Sequence, residues 1–233
     1  MNSALTPATR TVHCTEALGW LTEQGILLGA SFITSLPDLT EVPELTAEGW
    51  RTWFIDAATR VLRACPPEGV TIFYQTDVKR DGHWVDKGYL CLTAAERARV
   101  PLLWHKVVCR QPAGTVTFGR SGYAHLLCFS GAQKLNLAKA SADVLPSSGE
   151  SLWTRGMPWD TTLWACRYVK EQTPSRLIVD PFCGKGTVLA AANELGLSAV
   201  GVELCRRRAG QARSQRCPNP KVPAKPDVLS RAV

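Results

Sequence analysis

The stretch Leu177–Glu203, LIVDPFCGKGTVLAAANELGLSAVGVE, predicts a strand, a turn, a helix and a second strand in succession. Its first residues, 177–179, form the apolar run of a strand that is buried on both faces, and the run stops at Asp180. The following turn contains Gly184 and Gly186. Because glycine tolerates positive φ and has no Cβ, the backbone of such a turn can come close to a ligand. The stretch therefore predicts a ligand-binding site at the end of a buried strand.

The rest of the same stretch predicts which class of ligand sits there. Thr187 is predicted to cap the helix and Gly196 to end it. The second strand ends in Glu203, close to the spacing of about 20 residues at which dinucleotide-binding units place a carboxylate on ribose hydroxyls. A nucleoside is the natural ligand, although the NAD fingerprint GxGxxG and the phosphate-loop order Gly-Lys-Ser/Thr are both absent. A plain glycine-rich turn in a parallel sheet is the alternative.

The composition indicates how many domains the chain forms and in which cellular compartment it resides. With 233 residues, 45% of them hydrophobic, the chain suits one domain, predicted over 1–216, followed by a basic, Pro/Lys-containing tail over 217–233. No apolar run is long enough to span a membrane. The nine cysteines form no CxxC pair and have no histidine at zinc-ligand spacing, so we expect reduced thiols and no metal. This predicts an intracellular, reducing compartment: the cytoplasm first, with an organelle or the nucleus as alternatives.

Positive charge is concentrated near the C-terminus. Eight basic residues follow Gly201 and stand against two acids, so nearly all of the net charge of +7 lies there. Such a cluster fits contact with nucleic-acid phosphates, and a solvated final helix that runs into a basic tail is the alternative. The predicted phosphate-binding residues are Arg206, Arg207, Arg208, Arg213 and Arg216.

A second stretch with candidate active-site residues lies near the N-terminus. Residues 30–34 read as a buried strand that ends in Ser35-Leu36-Pro37-Asp38. A polar group, a rigid turn and an acid then stand where an open α/β sheet places its active site. Further along, residues 101–108 and 125–130 read as two strands. The long segment Gln111–Tyr123 between them is predicted to be a lid or a substrate loop.

Together these motifs resemble the S-adenosylmethionine-dependent DNA amino-methyltransferases of the N4/N6 type whose motif order is circularly permuted, with the catalytic motif before the cofactor motif. Asp180–Thr187, DPFCGKGT, is similar to their DPF-x-G-x-G-T signature, and Ala199–Glu203 is similar to the next strand with its ribose-binding acid. The resemblance implies an α/β, Rossmann-like class I methyltransferase fold with a mostly parallel, seven-stranded sheet and S-adenosylmethionine as the cofactor. The cofactor-binding residues that it implies are Asp180, Pro181, Phe182, Gly184, Gly186, Thr187 and Glu203.

The catalytic motif departs from the family, which has an acid, Asn or Ser, then two prolines and an aromatic residue. Here the catalytic candidates are Ser35, Pro37 and Asp38, with Asp38 in the place of the aromatic. It is expected to serve as a general base or as a hydrogen-bond acceptor that holds the target. The predicted function is methyl transfer to nucleic acid. RNA is favoured over DNA because the basic segment is local and no large target-recognition domain is evident. The alternative is a non-catalytic protein of the same fold that assists RNA assembly or binds a partner.

Overall fold

An eight-stranded sheet organises the computed structural model, which describes residues 7–218. Most of the predicted tail lies outside these residues. The strands of the sheet are β1 (Arg10–His13), β2 (Ala30–Thr34), β3 (Thr71–Gln75), β6 (Leu102–Cys109), β7 (Tyr123–Phe129), β8 (Val144–Leu145), β9 (Leu177–Asp180) and β10 (Ser198–Val202). A separate hairpin is formed by β4 (Val78–Arg80) and β5 (His83–Val85). The helices are α1 (Ala17–Gln24), α2 (Ala47–Ala64), α3 (Lys87–Ala98), α4 (Trp159–Gln172), α5 (Thr187–Glu194) and α6 (Arg206–Ser214).

The strand order is β1-β10-β9-β2-β3-β7-β6-β8. Strand β7 runs antiparallel to both of its neighbours, whereas the other pairings of the sheet are parallel. The mostly parallel α/β architecture is therefore confirmed. The expected number of seven strands is wrong, because residues 144–145 add an eighth strand beside β6. A two-residue strand is too short to show any alternation of apolar and polar residues, so the sequence gives no sign of it.

Helices cover both faces of the sheet, as the buried runs in its parallel strands require. One apolar core lies under α1, α2 and α3 and includes the fully buried Phe54, Ala57 and Val61 of α2. The other core lies under α4 and α5 and includes Ala165, Val169 and Leu189. The apolar stripe of α2 is thus the reason that this long helix forms at this place.

The neighbouring strands β2, β9 and β10 end at the same edge of the sheet. Ser35 follows β2, Pro181 follows β9 and Glu203 follows β10, so residues that are far apart in sequence meet there. The strand with the SLPD motif lies directly beside the strand with the DPF motif, as the permuted order predicts. None of the helices within residues 7–218 is long and apolar enough to cross a membrane. The nine cysteines are all free thiols.

Candidate functional site

A cavity of about 280 Å³ opens at the carboxyl ends of β2, β9 and β10. This cofactor cavity, as we name it, is lined by six of the predicted cofactor residues: Asp180, Pro181, Phe182, Gly184, Thr187 and Glu203. Ser35 and Pro37 of the SLPD motif also line it. The indole rings of Trp53 and Trp153 also line it, although the sequence indicated a core position for Trp53 and gave no role to Trp153.

The two glycines of the turn have different roles. Both have positive φ, 55° at Gly184 and 85° at Gly186, as predicted. At Gly184, which lines the cavity, an added Cβ would lie 2.5 Å from the Trp153 ring. At Gly186 an added Cβ would lie 2.8 Å from the Cα of Ala212 in α6. Gly186 lies outside the cavity wall, so its geometry favours helix packing over contact with a cofactor.

Thr187 is the first residue of α5 and does not cap it. The N-cap residue is Gly186, which makes no side-chain cap bond, so the predicted threonine cap is wrong. The Thr187 hydroxyl is instead buried without a hydrogen-bond partner in the part of the chain that the structure describes, and Thr187 lines the cofactor cavity. An unpaired buried hydroxyl is unfavourable unless a ligand or a water satisfies it. This hydroxyl fits a polar ligand in the cavity.

The Asp180 carboxylate joins the two motif strands. Its Oδ1 accepts a hydrogen bond from the Thr34 hydroxyl at 2.6 Å and another from the Phe182 backbone N–H at 3.1 Å. Burial raises the pKa of Asp180 to about 7, because a carboxylate charge loses its hydration there. Asp180 therefore ties the end of β2 to the turn after β9.

The Glu203 carboxylate is already oriented by the start of the next helix. Its Oε1 accepts a hydrogen bond from the Cys205 backbone N–H at 2.7 Å and one from Arg208 Nε at 3.1 Å. Arg208, predicted to contact nucleic acid, lines the cofactor cavity and pairs with this acid at 3.0 Å. The structure thus brings Arg208 to the cofactor cavity.

The SLPD motif is split between two cavities. Ser35 lines both of them, whereas Asp38 lines only a smaller neighbouring cavity of about 90 Å³, which we call the basic cavity. Asp38 Oδ1 accepts a hydrogen bond from Lys87 Nζ, and Oδ2 accepts one from Arg120 at 2.6 Å. The Pro37 carbonyl accepts a hydrogen bond from Trp50 Nε1 at 3.1 Å. Both oxygens of Asp38 are therefore engaged by cations.

The basic cavity takes its name from four cationic side chains that line it: Lys87, Arg110, Arg120 and Arg155. Lys87 begins α3, and Arg110 and Arg120 belong to the segment between β6 and β7. The sequence predicted a lid or substrate loop over Gln111–Tyr123, which includes Arg120 but not Arg110, and it identified neither arginine. No local motif marks them, because they come from separate segments that only the fold brings together.

A buried polar chain holds Lys87 in place. Asp77 accepts a hydrogen bond from the Lys87 backbone N–H at 2.8 Å through Oδ1, and its Oδ2 lies 2.8 Å from His125 Nε2. His125 Nδ1 lies 2.9 Å from His105 Nε2. Burial alone would raise the pKa of Asp77, but hydrogen bonds from His125 and the Lys87 N–H bring it below its ordinary value. Ligand atoms of Asp77, Asp86 and His125 lie within 4.8 Å of one another, but Asp77 and His125 are occupied by this chain of hydrogen bonds.

The remaining predicted phosphate contacts lie on or just after α6 and line neither cavity. Arg206, Arg207, Arg213 and Arg216 are all exposed. Arg213 also donates a hydrogen bond to the Val12 carbonyl at 3.0 Å. They form a second positive region, separate from the basic cavity.

The sheet order and its one reversed strand define a Rossmann-like class I methyltransferase fold with permuted motif order. The sequence matches no protein-family model and no curated protein. Among solved structures, the chain is similar to TTHA0409 of Thermus thermophilus, which is provisionally named a DNA modification methylase. The TM-score is 0.69 at 18% identity, and the match covers 88% of this chain and 94% of that chain. A complex of TTHA0409 with S-adenosylmethionine gives a TM-score of 0.68 at 18% identity, with coverage of 88% and 92%. The PvuII cytosine-N4-specific DNA methyltransferase gives 0.69 at 14% identity, with coverage of 92% and 88%.

Proposed function

We propose that this chain is an S-adenosylmethionine-dependent methyltransferase that acts on nucleic acid. The observation that carries the proposal is the cofactor cavity, which is lined by the Gly184 turn, by Thr187 with its unpaired hydroxyl, by Glu203 and by Ser35. The similarity in fold to a protein that was solved with S-adenosylmethionine supports the same choice of cofactor.

The cavity residues fit the parts of this cofactor. Glu203 provides carboxylate oxygens for ribose hydroxyls. Phe182 and Trp53, whose rings meet edge to face with centroids 6.1 Å apart, provide an apolar wall for an adenine. Gly184 lines the cavity beside the Trp153 ring, which occupies the space that a Cβ would need. The volume lies close to the lower end of typical small-molecule sites, which is about 300 Å³.

The chain's own contribution to the reaction is positioning. S-adenosylmethionine supplies a methyl group on a positively charged sulfur. When bound, it would supply that methyl group to the acceptor with cleavage of its carbon–sulfur bond, and an amine acceptor would lose one proton to solvent. Ser35, on the wall that both cavities share, is placed to orient the acceptor.

The surroundings of Asp38 favour a positioning role over that of a general base. Each of its oxygens accepts a hydrogen bond from a cation, which fits a carboxylate that holds Lys87 and Arg120 in position. Asp38→Asn should therefore retain measurable transfer and lose less than the roughly 10²- to 10⁴-fold that a base contributes.

Within nucleic acids, RNA and DNA are both candidate substrates. The exposed arginines of α6 and the basic cavity support RNA and DNA equally, since both carry phosphates. The RNA preference indicated by the sequence finds no further support in the solved structures, whose names refer to DNA methylases. The methyl-transfer assay therefore includes both RNA and DNA.

Calorimetry with S-adenosylmethionine tests the cofactor site first. Hydrogen bonds to charged groups contribute ~1.5 to 3 kcal/mol each, so Glu203→Ala should weaken binding roughly 10- to 150-fold. Glu194→Ala removes the same charge from the exposed end of α5 and should bind like the parent. Unchanged affinity in Glu203→Ala would remove this acid from the cofactor site.

Transfer of a tritiated methyl group into RNA, DNA and protein fractions then tests the activity. Label in RNA or DNA supports the proposal and identifies the substrate. Cofactor binding with no transfer to any fraction would favour the non-catalytic alternative, in which the fold binds RNA or a partner.

A further inference from the structure

We propose that the basic cavity is a phosphate-binding subsite for the methyl acceptor, next to the point of methyl transfer. The inference rests on the proposed function, because it names what the acceptor presents beside Ser35. Neither the DPF nor the SLPD motif predicts it, since its cations come from α3, from the segment between β6 and β7 and from the segment before α4.

The charges of the basic cavity do not cancel. Four cations face two carboxylates, those of Asp38 and Glu41. Asp38 pairs with Lys87 and Arg120, and Glu41 pairs with Arg155 at 3.2 Å. Arg110 donates to the Ser121 carbonyl at 2.8 Å but has no carboxylate partner within residues 7–218. The cavity therefore has an excess of positive charge that an anion would neutralise.

The donors of the cavity suit a phosphate. Arginine presents a planar fork of N–H donors that matches phosphate oxygens, and lysine adds a point charge. Tyr74 and Thr76 contribute hydroxyl groups to the same wall. Burial raises the pKa of Tyr74, so its phenol stays neutral and can donate a hydrogen bond. Lys87 is only 3% exposed, and charges that are shielded from water attract an anion more strongly than surface charges do.

The position of the cavity links it to the acceptor. Ser35, Leu36, Gly156 and Met157 line both cavities, so a ligand in one lies against the wall of the other. The cavity is small and lined mainly by polar groups, which suits a phosphate better than a stacked base. The acceptor atom near Ser35 and the phosphate held by Arg110 and Arg120 would then belong to the same nucleotide.

The test uses variants of Arg110, whose loss leaves the Lys87–Asp38–Arg120 group intact. The probes are adenosine monophosphate and a short single-stranded oligonucleotide, measured with and without S-adenosylmethionine. In Arg110→Gln, binding should weaken roughly tenfold or more, and the slope of log affinity against log salt should become shallower by about 0.7 to 0.9. Arg110→Lys keeps the charge without the fork, so its slope should match the parent while its affinity is intermediate. Arg97→Gln, an exposed change on α3 away from both cavities, is the control.

Each outcome has a defined meaning. Loss of binding for both probes in Arg110→Gln indicates the phosphate of a free nucleotide, and loss for the oligonucleotide alone indicates a backbone phosphate. Either result supports the subsite. Parent-like affinity and salt slope in Arg110→Gln, or no binding of either probe to the parent, would overturn it. Calorimetry of the same variants with S-adenosylmethionine keeps the two proposals apart, because failure of the cofactor site appears there and failure of the subsite does not.

Discussion

The carboxylates of Asp38 and Asp180 both follow a buried strand, but their surroundings give them different electrostatics. Asp38 is 8% exposed and forms ion pairs with Lys87 and Arg120. Asp180 is 4% exposed, and its oxygen is held by a hydroxyl and a backbone N–H. Burial raises the pKa of Asp180 to about 7. Near pH 7 the Asp180 side chain is therefore partly protonated and partly ionised in the folded protein.

The raised pKa gives a pH-dependent prediction for Asp180→Asn. The ordinary pKa is 3.8, so the folded state binds this proton more tightly than the unfolded state does. The contribution of Asp180 to stability is thus fully present below about pH 4, is lost as the pH rises to about 7, and is constant above that. Asparagine cannot ionise, and its Oδ1 can still accept both hydrogen bonds. The unfolding free energy of the variant minus that of the parent should therefore rise by roughly 1 to 4 kcal/mol between pH 4 and pH 7.

Chemical denaturation of both proteins at several pH values measures this difference in unfolding free energy. The other titrating groups contribute equally to both proteins, so their effect cancels in the difference. A flat difference over the whole range would mean that Asp180 is ionised in the folded protein even at pH 4.

Local spacing explains which site residues could be predicted from the sequence. Gly184 and Glu203 belong to one contiguous strand, turn, helix and strand unit, so their proximity follows from the periodicity of that unit. Arg110, Arg120 and Lys87 approach Asp38 only through the pairing of β7 with β3 and β6 and the docking of α3. No short-range pattern contains that information, so the basic cavity was not predictable.

At the scale of elements, the start of α5 is set by its contact with α6. Gly186 has a φ of 85° and faces the backbone of Ala212. Gly210 in the same α6 has nothing within 4 Å of an added Cβ among the described residues. The two glycines therefore form a matched pair for testing what this contact contributes.

Gly186→Ala should destabilise the fold through the contact between α5 and α6. The added methyl group would force α5 and α6 apart, at a cost of about 1 to 3 kcal/mol, and a left-handed alanine adds about 1 to 2 kcal/mol. Gly210→Ala should instead stabilise by about 0.5 to 1 kcal/mol, because alanine favours the helix. Chemical denaturation measures both changes. A Gly186→Ala protein with the unfolding free energy of the parent but a lower affinity for S-adenosylmethionine would instead support the direct cofactor role that the sequence assigned to Gly186.

At the scale of the whole molecule, positive charge is divided between two regions. The basic cavity is a recess beside the SLPD motif with the buried Lys87 in its wall, whereas the arginines of α6 are exposed and follow the strand β10. A recess in which several cationic side chains converge can hold one phosphate in a fixed geometry. An exposed row of arginines contacts a phosphate backbone without fixing its position. We therefore expect α6 to contribute to affinity in general and the basic cavity to the placement of the target.

The triple variant of Arg206, Arg207 and Arg216 to Gln tests this division. It leaves Arg208 on Glu203 and Arg213 on the Val12 carbonyl, so cofactor binding should be unchanged. Each phosphate contact that is lost should reduce the salt slope of nucleic-acid affinity by about 0.7 to 0.9. Transfer at saturating substrate should stay close to that of the parent, so the effect should appear in KM and not in kcat. A variant of Arg97, Lys134 and Lys139 to Gln removes the same charge from exposed positions elsewhere. Equal changes in slope for the two triple variants would mean that these arginines act only through net charge. An unchanged slope in the first variant would mean that they are solvated and make no phosphate contact.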